Sequence, residues 1–127
     1  MGRSAKNNFS FKRSSRVGGA LKQHIAEVML AEIDYPQKAT INVTRVEVSD
    51  DLTNAKIFYR SYLYAEKSPT PEDIAPLQEA LDGIVPELRH RVAKRVNLRK
   101  LPKFHFIYDA GLDHLMRIEQ LLQQDTL

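Results

Sequence analysis

Residues 41–64 hold two strand-like runs joined by a short polar turn, and this pattern constrains the fold more than any other part of the chain. Ile41–Val48 is rich in Val, Ile and Thr, but its alternation changes phase near Thr44. Either a bulge lies there or both faces are partly covered. Residues 55–64 alternate cleanly, with Ala55, Ile57, Tyr59 and Leu63 on one face and Lys56, Phe58, Arg60, Tyr62 and Tyr64 on the other. Residues 49–54 supply turn chemistry, so we expect two antiparallel strands.

A helical period precedes these strands. Ser14 or Ser15 can cap a helix that ends at Tyr35-Pro36. Its predicted buried stripe consists of Val17, Leu21, Ile25, Val28, Met29 and Ile33. Gly18 and Gly19 either weaken its first turns or let another backbone approach closely.

A pair of helices is predicted after the strands. Asp73 is preferred to Thr70 as the first N-cap, because Pro76 then falls in the first turn, where its missing N–H costs nothing. Gly83 and Pro86 are expected to break the helix, and a second helix would run over residues 86–96. The apolar stripes comprise Ile74, Leu77, Leu81 and Ile84, followed by Val85, Leu88, Val92 and Val96.

A third strand is predicted from the alternation of Phe104, Phe106 and Tyr108, with His105 and Ile107 opposite. A final helix would bury Leu115, Ile118, Leu121 and Leu122. The result is an α+β domain, a three-stranded sheet with helices on one face, in the layout of a type II KH RNA-binding domain. At 127 residues we expect one such domain over 14–122, after a disordered basic arm (1–13) and before a flexible tail (123–127).

Positive charge is concentrated in two blocks. Residues 1–22 hold six bases and no acid, and residues 87–103 hold seven bases and one acid, although the net charge is only +3. Such segregation favours a surface for a polyanion. The predicted RNA-binding residues are Arg3, Lys6, Lys12, Arg13, Arg16, Arg89, Arg91, Lys94, Arg95, Arg99, Lys100 and Lys103.

Other classes of function find little support in the composition. Without cysteine there is no disulfide, thiolate metal site or cysteine nucleophile. No apolar run approaches the ~18 residues of a membrane span. The basic, Ser-rich N-terminus is also typical of a mitochondrial transit peptide, but a polar arm explains it equally well and is preferred. His24, His90, His105 and His114 are scattered, and Asp50-Asp51 fits a turn better than a metal site. We therefore expect no enzyme activity, cofactor, metal or small-molecule substrate, and a cytoplasmic monomer.

Two motifs carry a more specific resemblance. Residues 46–58, VEVSDDLTNAKIF, are similar to the pattern V-x-V-S-x-D-L-x-x-A-K-V of the ribosome-binding factor A family. Leu88-Arg89, Asn97-Leu98-Arg99, Pro102 and FHFIYD at residues 104–109 resemble the second signature of that family. The resemblance covers roughly residues 15–122.

The resemblance implies a type II KH fold and a non-catalytic factor that binds the free small ribosomal subunit and its rRNA late in maturation, near the neck. It also implies support of rRNA 5′-end processing, release before the subunits join, and a part in cold adaptation. The family replaces the KH Gly-x-x-Gly loop by an Ala-x-Gly kink. Here Gly83, Ile84, Val85 and Pro86 stand at that kink between the paired helices, and Pro86 cannot donate an N–H to phosphate.

Two hypotheses follow. The first is an rRNA-binding assembly factor that stabilises one rRNA conformation over others. The second is a protein-interaction module of the same fold that uses the exposed strand face, where the aromatic residues of 59–64 would contact a protein.

Overall fold

The computed structural model describes residues 2–110, with side chains for residues 13–110. Two long helices and three strands make up most of this part of the chain. In order they are α1 (Gly2–Ala31), β1 (Ile41–Val48), β2 (Asn54–Ser61), α2 (Pro71–Ala93) and β3 (Lys103–Tyr108). Short 3₁₀ turns at Lys38–Thr40 and Tyr62–Tyr64 precede β1 and follow β2.

The three strands form one sheet in the order β1-β2-β3. β1 and β2 are antiparallel, as predicted, and Val43 pairs with Tyr59. The register shifts between Val43 and Arg45, which confirms the bulge at Thr44. β3 runs parallel to β2, as it must when a long helix carries the chain back across the sheet.

The core lies between one face of the sheet and the two helices. The alternation of β2 and β3 places Ala55, Ile57, Tyr59, Phe104 and Phe106 on that face. The helices contribute Leu21, Ile25, Val28, Met29, Leu77, Leu81, Ile84, Leu88 and Val92. The α+β architecture with helices on one face of the sheet is therefore the one that the sequence predicted.

Tyr59 is fully buried at the centre of this core. Its ring meets Phe106 and Tyr108 edge to face, with centroids 6.1 and 5.3 Å apart. Its hydroxyl donates to Gln78 Oε1 at 2.7 Å, and Gln78 Nε2 donates to the Phe106 carbonyl at 2.8 Å. Burial raises the pKa of Tyr59 above its usual range, because the charged phenolate is poorly solvated there.

The ends of α1 differ from the prediction. The helix runs continuously from Gly2, so Ser14 and Ser15 are not its cap, and residues 2–13 are helical where a disordered arm was expected. Nothing in that stretch stops a helix once it has formed, since it contains no proline and its only glycine is Gly2. At the other end α1 stops at Ala31, four residues before Tyr35.

The two adjacent glycines of α1, Gly18 and Gly19, differ in their surroundings. A Cβ on Gly18 would meet the Val46 carbonyl oxygen at 2.8 Å, so Gly18 lets the helix backbone approach β1 closely. A Cβ on Gly19 would have open space around it. The close-approach alternative is therefore correct for Gly18 and not for Gly19.

α2 corrects two further predictions. Its N-cap is Thr70, not Asp73: Thr70 Oγ1 accepts from the Asp73 N–H at 3.2 Å, and Asp73 Oδ2 accepts from the Thr70 N–H at 2.9 Å. This reciprocal capping box also lowers the pKa of Asp73, chiefly through the Thr70 N–H.

The predicted break at Gly83, Ile84, Val85 and Pro86 is also wrong, because α2 is a single helix through both prolines. Pro76 and Pro86 are exposed, as are Glu72 and Asp82, whose carbonyls lose a hydrogen-bond donor. Water can satisfy those carbonyls on the outer side of the helix, so neither proline has to end it.

The end of β2 and the C-terminal segment complete the comparison with the prediction. Leu63, placed on the buried face, lies exposed in a 3₁₀ turn. The predicted final helix and the tail at 123–127 lie outside the described residues.

Candidate nucleic-acid interface

A groove of about 300 Å³ lies between α1 and the connector, by which we mean residues 94–102 between α2 and β3. It is lined by Arg16, Val17, Ala20, Leu21, His24, Arg95, Val96, Asn97 and Leu98. We call it the α1–connector groove. Arg16 belongs to the first basic block and Arg95 to the second, so the fold brings the two blocks together here.

The positive charge of Arg95 is largely balanced by two glutamates of the same protein. Its Nη1 donates to Glu27 Oε2 at 2.7 Å and its Nη2 to Glu32 Oε2 at 2.6 Å. Arg91 contacts Glu87 at 3.0 Å and Glu32 at 3.4 Å. These five residues form an arginine–glutamate network that joins α1 to α2. Three carboxylates against two guanidinium groups leave it slightly negative, which weakens the interpretation of Arg91 and Arg95 as phosphate ligands.

Arg89 donates hydrogen bonds to the backbone of the connector. Its Nε donates to the Pro102 carbonyl at 3.1 Å and its Nη2 to the Leu101 carbonyl at 3.0 Å. Its guanidinium carbon lies 5.9 Å from the centre of the Phe104 ring. Arg89 thus holds the end of the connector against α2 just before β3 begins.

The remaining cations of the second block are exposed: Lys94, Arg99, Lys100 and Lys103. Within the described part of the chain none of them makes an ion pair. They lie on or beside the connector, where phosphate could reach them without breaking a contact. These four residues fit the predicted role best.

The first basic block lies along α1. Arg13 and Arg16 are exposed, and among the described residues neither has an ion-pair partner. Arg3, Lys6 and Lys12 fall on the first turns of the same helix, and their side chains lie outside the described set. One helix thus carries the first block up to the groove.

The strand face is a weaker candidate than its composition indicated. Arg45 lies over the Phe58 ring, 4.1 Å from its centre, and covers that aromatic surface. Tyr59 lies in the core, and Tyr62 and Tyr64 lie in a 3₁₀ turn beyond the strand. The outward stripe of aromatics is therefore interrupted, which leaves less surface for stacked bases or for a protein partner.

Neither a membrane span nor a metal centre was found in the part of the chain that the structure describes. No helix there has a stretch that is both long and apolar enough to cross a bilayer. No group of three or more His, Asp or Glu side chains there is placed to hold an ion. Asp51 instead accepts hydrogen bonds from Ser49, Thr53 and the Thr53 N–H, as expected of turn chemistry.

Sequence reasoning missed the apolar part of the groove. Val96 and Leu98 were assigned to a helix stripe and to a basic connector, and His24 to no element of a site. Their convergence depends on how α1 packs against the end of α2, which local periodicity does not encode. Of the residues that line the groove, the sequence had singled out only Arg16 and Arg95 as candidate site residues.

Comparison with known proteins gives a consistent result. The family model of ribosome-binding factor A matches residues 13–122. A ribosome-binding factor A from Methylobacillus flagellatus is 34% identical over 115 residues, spanning 90% of this chain and 85% of that protein. One from Thermodesulfovibrio yellowstonii is 39% identical over 114 residues, spanning 90% and 91%.

Solved structures show the same fold. The crystal structure of ribosome-binding factor A from Thermus thermophilus has a TM-score of 0.60 and 23% identity, covering 75% of this chain and 94% of that one. A solution structure from Thermotoga maritima has a TM-score of 0.64 and 24% identity, covering 78% and 89%. A Thermus thermophilus homology model fitted into the map of a complex with the 30S subunit has a TM-score of 0.55, with 24% identity and coverage of 74% and 92%. The fold is therefore KH-like.

Proposed function

Because the chain belongs to the ribosome-binding factor A family, we propose that it is a non-catalytic assembly factor that binds the free small ribosomal subunit through its rRNA. It would act late in maturation, near the neck, support processing of the rRNA 5′ end and leave before the subunits join. We further propose that it works as a cytoplasmic monomer and matters most in the cold, when misfolded rRNA escapes slowly.

The observation that carries this proposal is the meeting of the two basic blocks at the α1–connector groove. Arg16 approaches from α1, and Lys94, Arg99 and Lys100 lie on the connector, all exposed. Cations without internal partners release counterions from phosphate on binding, which is the main source of affinity for RNA. The mechanism is binding alone: the factor stabilises the rRNA conformation for which its surface has the greater affinity.

Sedimentation with purified small subunits over a range of salt concentrations tests the proposal. Replacing Lys94, Arg99 and Lys100 together by Gln removes three exposed cations. The matched control replaces Lys38, Lys56 and Lys67 by Gln, which removes the same charge elsewhere on the domain.

The connector variant should bind at least about tenfold more weakly, and its slope of log K against log salt should flatten by about 2–3. The control variant should bind small subunits with nearly the affinity and the salt slope of the parent protein. Equal loss in both variants would mean that net charge alone governs binding, and affinity independent of salt would reject the proposal.

A further inference from the structure

The α1–connector groove has an apolar interior beside a basic surface, which is more than phosphate binding requires. Val17, Ala20, Leu21, Val96 and Leu98 supply the apolar part. At about 300 Å³ it is at the small end of ligand pockets, too small for a helix of RNA or protein. An occupant must therefore be small or must protrude from a larger molecule.

We propose that this groove receives one unstacked nucleotide of single-stranded RNA, with its base against the apolar residues and its phosphate at Arg16. The inference rests on the proposed function, since it specifies which form of RNA the surface takes. A paired base cannot enter such a groove, because both its faces are stacked and its pairing edge is occupied.

Arg95 fits the role of a stacking partner. Two of its guanidinium nitrogens donate to Glu27 and Glu32, so the group is fixed and its charge is largely matched. Its planar faces are not used by these hydrogen bonds. A planar guanidinium is a common surface on which unpaired bases stack, and one that is already fixed loses little entropy on binding.

Polar atoms for the edge of a base are also present. The exposed amide of Asn97 offers both a donor and an acceptor. His24 Nδ1 is buried and has no hydrogen-bond partner in the described structure. His24 also lines the groove, so its ring is a second polar group beside Asn97.

The charge distribution favours a nucleotide over an acidic peptide. Among the lining residues only Arg16 has an unmatched positive charge, since Glu27 and Glu32 already bind Arg95. A nucleotide has one phosphate beside one base with apolar faces. The groove offers one unmatched cation, Arg16, beside an apolar surface, so the two are complementary. A run of carboxylates would find only this one unmatched cation among the lining residues.

The site is also distinct from residues 83–86, the predicted kink position, which stand where KH proteins have the Gly-x-x-Gly loop that clamps the RNA backbone. Pro86 precedes Ala93, the last residue of α2, by seven residues. At 1.5 Å per residue this places the kink position about 10 Å along the helix from the end that borders the groove.

The test uses fluorescent RNA of ten nucleotides, single-stranded or annealed to its complement, with the full-length protein. Ala20→Leu fills the groove without altering charge. Ala39→Leu is the matched control, because Ala39 is also exposed and lines a separate groove between α1 and β1. Backbone amide NMR spectra establish that each variant is folded. A second variant and its control, Asn97→Ala and Asn42→Ala, each remove one exposed side-chain amide, inside and outside the groove respectively.

We expect the single strand to bind at least tenfold more tightly than the duplex. Ala20→Leu should weaken that binding about tenfold while the slope of log K against log salt stays unchanged, and Ala39→Leu should have no effect. Asn97→Ala should weaken binding a few fold, and Asn42→Ala should not.

Several outcomes would overturn the inference. Equal binding by Ala20→Leu and Ala39→Leu would do so, and so would displacement of the RNA by polyglutamate at equal affinity. If the protein binds small subunits but not the single-stranded RNA, the groove is not a nucleotide site and the proposed function stands. If the protein binds neither, the proposed function itself fails.

Discussion

Arg95 joins the end of α2 to the end of α1 through Glu32, with Nη2 and Oε2 2.6 Å apart. Glu32 also contacts Arg91 at 3.4 Å, so one carboxylate serves two arginines of the second basic block. The network therefore neutralises two of the seven cations of that block.

Glu32→Gln should strengthen binding to the small subunit. Removing one carboxylate beside two arginines raises the local potential, and one charge at 7–8 Å in water is worth about 0.5 kcal/mol, or about a two- to threefold gain. Thermal stability should fall by no more than about 1 kcal/mol, since the pairs are partly exposed. Salt-dependent sedimentation measures the affinity.

Glu79→Gln is the control, because it removes an exposed α2 carboxylate that makes no ion pair in the described structure. If both variants gained the same affinity for the small subunit, the network would not be what restrains Arg91 and Arg95.

Gly18→Ala and Gly19→Ala should change stability in opposite directions. The new Cβ at Gly18 would meet the Val46 carbonyl oxygen at 2.8 Å, so α1 must move away from β1, at about 1–3 kcal/mol. At Gly19 nothing lies near the new Cβ, and alanine should stabilise the helix by about 0.5–1 kcal/mol. Urea unfolding of both variants measures the difference, and a stabilised Gly18→Ala would contradict the close approach.

The strands were predictable because their signal is local. Alternation with a period of two assigned Ala55, Ile57 and Tyr59 to the core side of β2, and the phase change at Thr44 located the bulge. Both features depend only on residues a few positions apart. The continuous course of α2 was not predictable in the same way, because it depends on which side of the helix Pro76 and Pro86 face.

The partners of the arginines could not be read from the chain. Glu27 lies 68 residues before Arg95, and Glu32 lies 59 residues before Arg91. Charge along the sequence placed Arg91, Lys94 and Arg95 together among the predicted RNA-binding residues. Reversing all three to Glu would place new carboxylates beside Glu27, Glu32 and Glu87 and destabilise the protein, so it would be a poor test of RNA binding.

Arg89→Ala should destabilise the protein, whereas Arg99→Ala should not. Arg89 donates to two connector carbonyls, and hydrogen bonds from a charged group contribute about 1.5–3 kcal/mol. Arg99 is exposed, so its loss should weaken binding to the small subunit at unchanged urea midpoint. If Arg89→Ala keeps full stability and loses subunit binding, Arg89 contacts RNA instead of supporting the connector.

Acid should weaken the turn between β1 and β2 through Asp51. Hydrogen bonds from the Ser49 hydroxyl and then from Thr53 lower the pKa of Asp51 to about 2, from 3.8. A carboxyl whose folded pKa lies below its unfolded value contributes stability above the unfolded pKa, and that contribution is lost as pH falls from about 4 to 2. Asp51→Asn should therefore be less stable at neutral pH and approach the parent protein in acid.

Asp50→Asn is the matched control, because it removes the adjacent exposed carboxylate and leaves the three bonds to Asp51 in place. Urea midpoints measured from pH 7 to pH 2 give the comparison. A constant stability difference between Asp51→Asn and the parent protein across that range would show that these bonds do not favour the charged carboxylate.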